Sequence, residues 1–262
     1  MSQKPKLGQN FLTDRSASSR IVEALGDISE KTVVEIGPGN AAITELLAQK
    51  AHRLIAVELD RALAANLKRR FAGSQVEVIE QDILIFDLAS LRDSDEKLLV
   101  IGNLPYYITS DILLHLFRYH NVISRAVLMM QREVADRVAA APGSRDYGLL
   151  SATTQLYAQV EKLMTLPPGA FAPPPKVYSS VLRLTFATRF SELGVDADGF
   201  IAFLRQCFAQ KRKTLVNNLR AAGFDAPGIA RVVEASGISG QARAEAVSLE
   251  VMAGLYRGLT QG

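Results

Sequence analysis

The sequence predicts an α/β fold: a mostly parallel sheet with helices on both faces, ending in an antiparallel hairpin, with a small all-α domain after it. Three observations predict this. Short apolar runs alternate with stretches of helical periodicity from Thr32 to about Ala139, the pattern of a sheet built by βα repeats. The first of those runs closes on Gly37-Pro38-Gly39, a strand-to-helix turn. From Ser191 onward strand-like runs stop and helical spacing takes over.

The elements follow in order. Thr13 or Asp14 can cap a helix running to about Leu25, with Ile21, Val22 and Leu25 on one face. Thr32 to Ile36 reads as a strand and Ala42 to Gln49 as a helix; Leu54 to Val57 and Ala62 to Phe71 repeat the pair. Val76 to Ile79 and Leu98 to Ile101 are further strands, the second followed by a helix over Ser110 to Phe117 capped by Thr109 or Ser110. Ala126 to Met130 and Glu133 to Ala139 give one more strand and helix. Such apolar runs suit strands buried on both faces. A helix over Leu149 to Leu156 then leads to Val160–Leu166 and Val181–Phe186, separated by the proline-rich loop Pro167 to Pro175. These two runs read as the terminal hairpin. Phe200, Ile201, Phe203, Leu204, Cys207 and Phe208 fall at helical spacing and face a core. Pro227, Gly237 and Gly240 punctuate shorter helices, and Ser248 is placed to cap the last. The domain boundary is expected near Thr188, giving domains 1–188 and 189–262.

Bulk properties set limits. A chain of 262 residues, 48% hydrophobic, buries a sizeable core. A net charge of +3 and a pI near 9.0 permit a nucleic-acid partner without requiring one. The single cysteine, Cys207, excludes an internal disulfide and a cysteine-rich metal site. No apolar run reaches the ~18 residues of a membrane span, and Met1 to Leu12 is basic and polar, unlike a signal peptide. These features point to a cytoplasmic protein with no membrane partner.

Chemistry collects at the strand ends. In open α/β sheets, ligands bind beyond the carboxyl ends of the strands. The first strand ends Glu35-Ile36-Gly37-Pro38-Gly39, and Gly37, Gly39 and Ala42 fit the dinucleotide pattern G-x-G-x-x-A. The second ends at Glu58, 21 residues after Gly37, next to Leu59. An acid about 20 residues on accepts from ribose hydroxyls in such folds. The third reaches Asp82-Ile83, and Asp82 either accepts from an adenine amino group or caps a loop. The fourth reaches Asn103-Leu104-Pro105-Tyr106-Tyr107. The ordered series is far more specific than any member.

NAD and S-adenosylmethionine both carry an adenosine for such a site. A dinucleotide needs backbone N–H groups around its pyrophosphate. Here Pro38 removes one donor and Glu35 sits two residues before Gly37. A carboxylate there suits the ammonium of a methionine moiety better than a diphosphate. No His–Asp or Tyr–Lys pair suited to hydride transfer follows, and Asn-Leu-Pro-Tyr has no role in a dehydrogenase. Methyl transfer is the better reading. His52, His115 and His120 make no ligand set, so no metal is expected.

Four motifs occur in order: Gly8-Gln9-Asn10-Phe11-Leu12, Glu35-Ile36-Gly37-Pro38-Gly39, Asn103-Leu104-Pro105-Tyr106 and Phe171-Ala172-Pro173-Pro174-Pro175-Lys176-Val177-Tyr178-Ser179. Together they resemble the ribosomal RNA adenine N6,N6-dimethyltransferases, and within that family the bacterial small-subunit enzymes. The resemblance spans nearly the whole chain, down to Arg243-Ala244-Glu245-Ala246-Val247-Ser248-Leu249. Its one departure is Ala244, where the family leads one to expect proline.

The resemblance implies a Rossmann-like S-adenosylmethionine-dependent methyltransferase domain. Its substrate would be two adjacent adenosines in the 3′-terminal hairpin of 16S rRNA, within an immature small ribosomal subunit, and the enzyme would be a monomer. Asn10 and Leu12 would cover the cofactor; Gly37 and Gly39 would contact its methionine part. Glu58 would hold the ribose, Asp82 and Ile83 the adenine, and Asn103 would lie between cofactor and target. Catalysis would use the Asn103 side-chain oxygen and the Leu104 carbonyl as acceptors from the adenine amine, with Pro105 bracing the turn. A base must leave its stack to react, and Tyr106 and Phe171 would clamp it. RNA phosphates would meet Arg132, Lys176 and the run Lys211-Arg212-Lys213, which is expected to open a helix. Residues 189–262 hold nine Lys/Arg against seven Asp/Glu, so the small domain is no polybasic tail and shape must carry much of recognition.

Overall fold

The computed structural model describes residues 10–92 and 95–260. Gly8, Gln9 and most of the expected N-terminal arm lie outside them. β1 (Phe11–Leu12) and α1 (Arg15–Glu23) lead into β2 (Thr32–Ile36), α2 (Thr44–Leu47), β3 (Arg53–Glu58), α3 (Arg61–Arg70) and β4 (Val76–Glu80). β5 (Leu98–Asn103), α4 (Thr109–Arg118), β6 (Ile123–Gln131), α5 (Arg132–Val138) and α6 (Leu149–Tyr157) follow. Then come β7 (Ala158–Leu166), β8 (Phe171–Ala172) and β9 (Ser179–Phe186). The chain continues as α7 (Phe190–Leu193), α8 (Ala197–Cys207), α9 (Leu215–Ala221), α10 (Ala226–Ala235) and α11 (Leu249–Thr260).

The main sheet has the order β4-β3-β2-β5-β6-β9-β7. β4 through β6 are parallel, and β9 runs antiparallel to β6. The central strands are near-continuous apolar runs because helices cover both faces: Val33, Val34, Leu54, Ile55, Val100 and Ile101 are all fully buried. The edges read differently. β4 is Val-Glu-Val-Ile-Glu, and β7 carries Glu161 and Lys162, charges that discourage pairing with another chain. After β4 the chain crosses back past β2 to place β5 on its other side. That reversal opens a crevice at the carboxyl ends of β2 and β5.

Local chemistry explains most boundaries. Asp14 caps α1 by accepting from Ala17 N at 3.0 Å, and Asp60 caps α3 from Ala62 N and Leu63 N. The expected cap of α4 differs. Thr109 lies inside the helix and donates its hydroxyl to the Pro105 carbonyl at 3.0 Å, and Ile108 holds the cap position without a side-chain bond. The expected helix 42–49 is regular only over Thr44–Leu47; just before its expected start Ala41 has φ +69°, outside the right-handed region. The basic run also falls differently. Lys211-Arg212-Lys213 forms an exposed turn before α9, and Thr214 caps that helix by accepting from Asn217 N at 3.3 Å. Cations at a helix start would oppose its dipole.

The chain forms two compact units. One contains residues up to Ala135 and Gln159–Phe186; the other contains Asp136–Ala158 and the residues from Ala187 on. The sequence boundary near Thr188 lies beside the last of three crossings, at Ala187, but Asp136–Ala158 also belongs with the helical unit. Tyr147, Ala152 and Leu156 bury into one core with Phe200, Phe203 and Tyr256. The βα rhythm hides this, since α6 shows no sign of which core it joins.

Candidate active site

The crevice between β2 and β5 is a cleft of about 1060 Å³, counted out to solvent, lined by residues at the ends of β2, β3, β4 and β5. It gathers nearly every strand-end residue singled out above: Glu35, Gly37, Gly39, Glu58, Leu59, Asp82, Ile83, Asn103, Leu104, Pro105 and Tyr106, with Asn10 and Leu12 from the N-terminal side. Register brings this about. Ile36 pairs with Gly102, so Gly37 and Asn103 each lie one residue beyond the same rung. Ile36 pairs on its other side with Val57, which puts Glu58 at the next strand end.

Gly37 and Gly39 hold φ of +64° and +55°, which side-chain-bearing residues adopt rarely. A Cβ on Gly39 would also lie 2.9 Å from the Phe11 ring. The turn therefore needs glycine for its backbone and for the close approach of the β1 segment.

Both strand-end glutamates are buried, Glu35 at 2% exposure and Glu58 at 3%. Both Glu58 oxygens are engaged, each with one bond: Oε2 accepts from Gly39 N at 3.1 Å and Oε1 from Asp60 N at 2.9 Å. Burial raises its pKa, and those amide bonds pull it part of the way back. Glu35 is not engaged in this way. Its Oε2 is buried with no hydrogen-bond partner. Burial pushes its carboxyl up to about 8, with Thr44 drawing it down somewhat and Glu58 adding to the rise. Asp82 accepts from Leu84 N at 2.9 Å through one oxygen and turns the chain into a short helical turn at Ile83–Ile85. The loop-cap reading of Asp82 holds, and the residue also lines the cleft.

Asn103 ends β5. One Nδ2 N–H donates to the Asn10 carbonyl at 2.9 Å, which fixes the amide so that Oδ1 is its acceptor. Leu104 N donates to Met129 O at 2.9 Å, fixing the loop to β6. The Pro105 carbonyl takes up Thr109 and Ile108 N at the start of α4. The Tyr106 hydroxyl meets Ser179 Oγ at 2.8 Å, and its pKa is raised by burial. Ser179 was legible only as the last letter of the proline-rich motif. Phe11, Tyr107 and Ile112 also line the cleft without having been assigned a part.

Phe171 departs from expectation. It is 3% exposed and belongs to the core under the sheet, together with Leu12, Leu166 and Ala170. β8 pairs with β1, Leu12 opposite Phe171, and Thr13 N donates to the Ala170 carbonyl. That small antiparallel sheet holds Phe171 away from the cleft, so it presents no face to a ligand there.

Among the expected RNA contacts, Lys176, Arg132 and Lys211–Lys213 are exposed. Arg132 N donates to the Tyr178 carbonyl at 2.9 Å, and its guanidinium lies over the Tyr178 ring, 5.1 Å from the centroid. Among the described residues, no three His, Cys, Asp or Glu side chains form a metal-binding group, and no helix is long and apolar enough to cross a membrane.

A mostly parallel sheet with this strand order, carboxylates near successive strand ends and an Asn-Leu-Pro-Tyr loop at the switch point defines a Rossmann-like S-adenosylmethionine-dependent methyltransferase. Comparison narrows the class. Residues 1–260 match the family model for ribosomal RNA adenine dimethylase, and the chain belongs to that family. It is 63% identical over 257 residues to the ribosomal RNA small subunit methyltransferase A of Acidobacterium capsulatum, covering 98% of this chain and 91% of that one. The protein of the same name from Koribacter versatilis is 56% identical over 274 residues, covering 100% and 96%. Among solved structures, the 23S rRNA methyltransferase ErmE superposes with a TM-score of 0.74 at 25% identity, covering 95% of this chain and 99% of ErmE.

Proposed function

We propose that the protein transfers methyl groups from S-adenosylmethionine to N6 of two adjacent adenosines in the 3′-terminal hairpin of 16S rRNA. It would act as a monomer on immature small ribosomal subunits in the cytoplasm. The observation that carries this reading is Asn103: its amide nitrogen is tied to Asn10, and its oxygen remains an acceptor in the same cleft as Glu58 and Asp82.

The residues fit the cofactor. Glu35 Oε2, buried and unpartnered, suits an ammonium. The glycine turn admits the methionine chain without a Cβ in the way. Glu58 and Leu59 lie where a ribose would rest, and Asp82 and Ile83 where an adenine would. Asn10 and Leu12 close over that end of the cleft. When bound, the cofactor supplies a methyl group on a sulfonium, already electrophilic.

The work left to the chain is orientation and acceptance. The adenine amine is a poor nucleophile because its lone pair is delocalised into the ring. The Asn103 Oδ1 and the Leu104 carbonyl accept its two N–H groups, favour a pyramidal nitrogen and free the lone pair. The freed lone pair would take up the methyl group that the bound cofactor would supply, and N6 would release a proton to solvent. Pro105 limits the loop's motion. Tyr106, anchored by Ser179, offers a stacking face to the extruded base, worth ~1–3 kcal/mol against an unstacking cost of a few kcal/mol. Arg132, Lys176 and Lys211–Lys213 hold phosphates and set register.

The high identity to two small-subunit enzymes favours 16S rRNA over the target of ErmE. The experiment is incubation with radiolabelled S-adenosylmethionine and small subunits lacking the modification, with free 23S rRNA alongside. Label on the two hairpin adenosines is expected; label confined to the 23S rRNA overturns the reading.

A further inference from the structure

We propose that Tyr178, with Arg132 packed on it, is a second stacking platform that holds the nucleotide flanking the target adenosine. The proposal rests on the RNA-methylating reading above.

Tyr178 directly precedes Ser179, whose hydroxyl contacts Tyr106 at 2.8 Å. Successive side chains on an extended segment face opposite ways. Ser179 is buried towards Tyr106, so Tyr178 emerges next to the base-binding loop but outside the cofactor cleft. Its backbone is fixed: Gln131 pairs with Ser179, and Arg132 N donates to the Tyr178 carbonyl at 2.9 Å, one rung beyond the ladder.

The second point is chemistry. Tyr178 is 45% exposed although it is a large aromatic, and Val177 beside it is 43% exposed. One side of the ring carries the Arg132 guanidinium at 5.1 Å. This contact orients the cation and leaves ring surface open. An exposed aromatic with a stacked guanidinium and a neighbouring lysine, Lys176, suits an unstacked nucleotide: the ring takes a base and the cations take phosphate. Coverage by a protein partner would need a broader apolar face than two side chains.

The third point is need. Extruding one base exposes the faces of its neighbours, and two adjacent adenosines must enter the site in turn. A platform one residue from the Tyr106 anchor stabilises the gap left in the stack. It is offered as a substrate-positioning element, with no contact to the reacting atoms.

The test uses the full-length protein with S-adenosylhomocysteine, so that nothing turns over, and a labelled 16S 3′-hairpin oligonucleotide. 2-Aminopurine replaces, in turn, the nucleotide on either side of the target pair. Quenching is expected with the wild-type protein and with Tyr178→Phe. Tyr178→Ala should abolish it and weaken hairpin binding roughly ten-fold, the scale of one lost base stack. Arg132→Ala should weaken binding less, with Arg132→Lys intermediate, and circular dichroism confirms that each variant is folded. Unchanged quenching in Tyr178→Ala overturns the proposal, as does a Phe variant as weak as Ala. Intact hairpin binding combined with poor methylation of assembled subunits would assign the patch to a ribosomal protein and also overturn it. Wild-type turnover on subunits, measured in parallel, separates the two readings. Missing label there sinks the functional assignment, while the 2-aminopurine signal still decides the role of Tyr178.

Discussion

Glu35, one residue before the end of β2, and Glu58, the last residue of β3, lie two rungs apart on neighbouring strands, and both are almost fully buried. They differ in what they have already spent. Glu58 uses both oxygens on backbone amides and so builds the glycine turn and the start of α3. Glu35 keeps one oxygen unpaired in a place where burial drives it towards the neutral acid. Burying an unpaired polar atom costs on the order of 1–3 kcal/mol. A fold tolerates that where a ligand later satisfies the atom. Glu58 thus acts as scaffold with binding capacity left over, and Glu35 is a group held open. Asn103 combines the two states in one amide: one N–H is given to the Asn10 carbonyl, and the oxygen is open.

The largest effect should come from the open half of Asn103. Asn103→Ala removes the acceptor that acts on N6, and loss of one preorganised electrostatic partner costs roughly 10²–10³-fold in kcat. Single-turnover methyl transfer to subunits measures it. Activity above about a tenth of wild type would mean that the open oxygen is not the acceptor.

Glu35→Gln should stabilise the cofactor-free protein. The sign follows from the raised pKa: between the ordinary carboxyl value of 4.5 and about 8 the folded state holds a proton that the unfolded chain has released. Stability from this group is fully present below 4.5 and is lost as pH rises to about 8. Glutamine has no such loss. The variant's advantage should therefore open from pH 5 upward and reach on the order of 2–3 kcal/mol near pH 8, allowing for its own buried amide. Cofactor affinity should fall about ten-fold with the charge-assisted bond gone. Chemical denaturation at several pH values and calorimetric titration check both; a gap that does not vary with pH breaks the comparison.

Glu58→Gln should act in the opposite direction. Glutamine would point its amide nitrogen at either Gly39 N or Asp60 N, losing one bond and facing donor with donor. A destabilisation of about 1–2 kcal/mol at pH 7 is expected without cofactor. A variant as stable as wild type would show the two amides to be dispensable.

How much of this could be read from the chain depends on the range of the forces. The strand ends were legible because apolar runs and a spacing of 21 residues are local, and parallel register converts them into one cleft. The split between the two glutamates was not, since it depends on which backbone N–H groups fold back onto each carboxylate. Phe171 shows the same limit. Its motif was plain, but its burial follows from the pairing of β8 with a two-residue strand some 160 positions earlier. Asp136–Ala158 follows β6 where the βα series would continue, yet its helix packs in the helical core. Ser179 and Tyr178 sat inside a recognisable motif and gained roles only when β9 was laid against β6.

The smallest effect should come from the Tyr106 hydroxyl. It makes one contact, to Ser179, and the ring is the part expected to meet the base. Tyr106→Phe removes one half-buried hydrogen bond, worth about 1 kcal/mol, and leaves the stacking surface. The expected result is a several-fold rise in KM for the RNA. Tyr106→Ala also loses the stack and should cost a further ~1–3 kcal/mol, a factor of roughly 5 to 150. The ratio of the two variants, read from KM on the same subunits, separates anchor from platform. If Phe proves as damaging as Ala, the hydroxyl is the working group, and Tyr106 belongs with Glu58 among residues whose polar atoms are already committed.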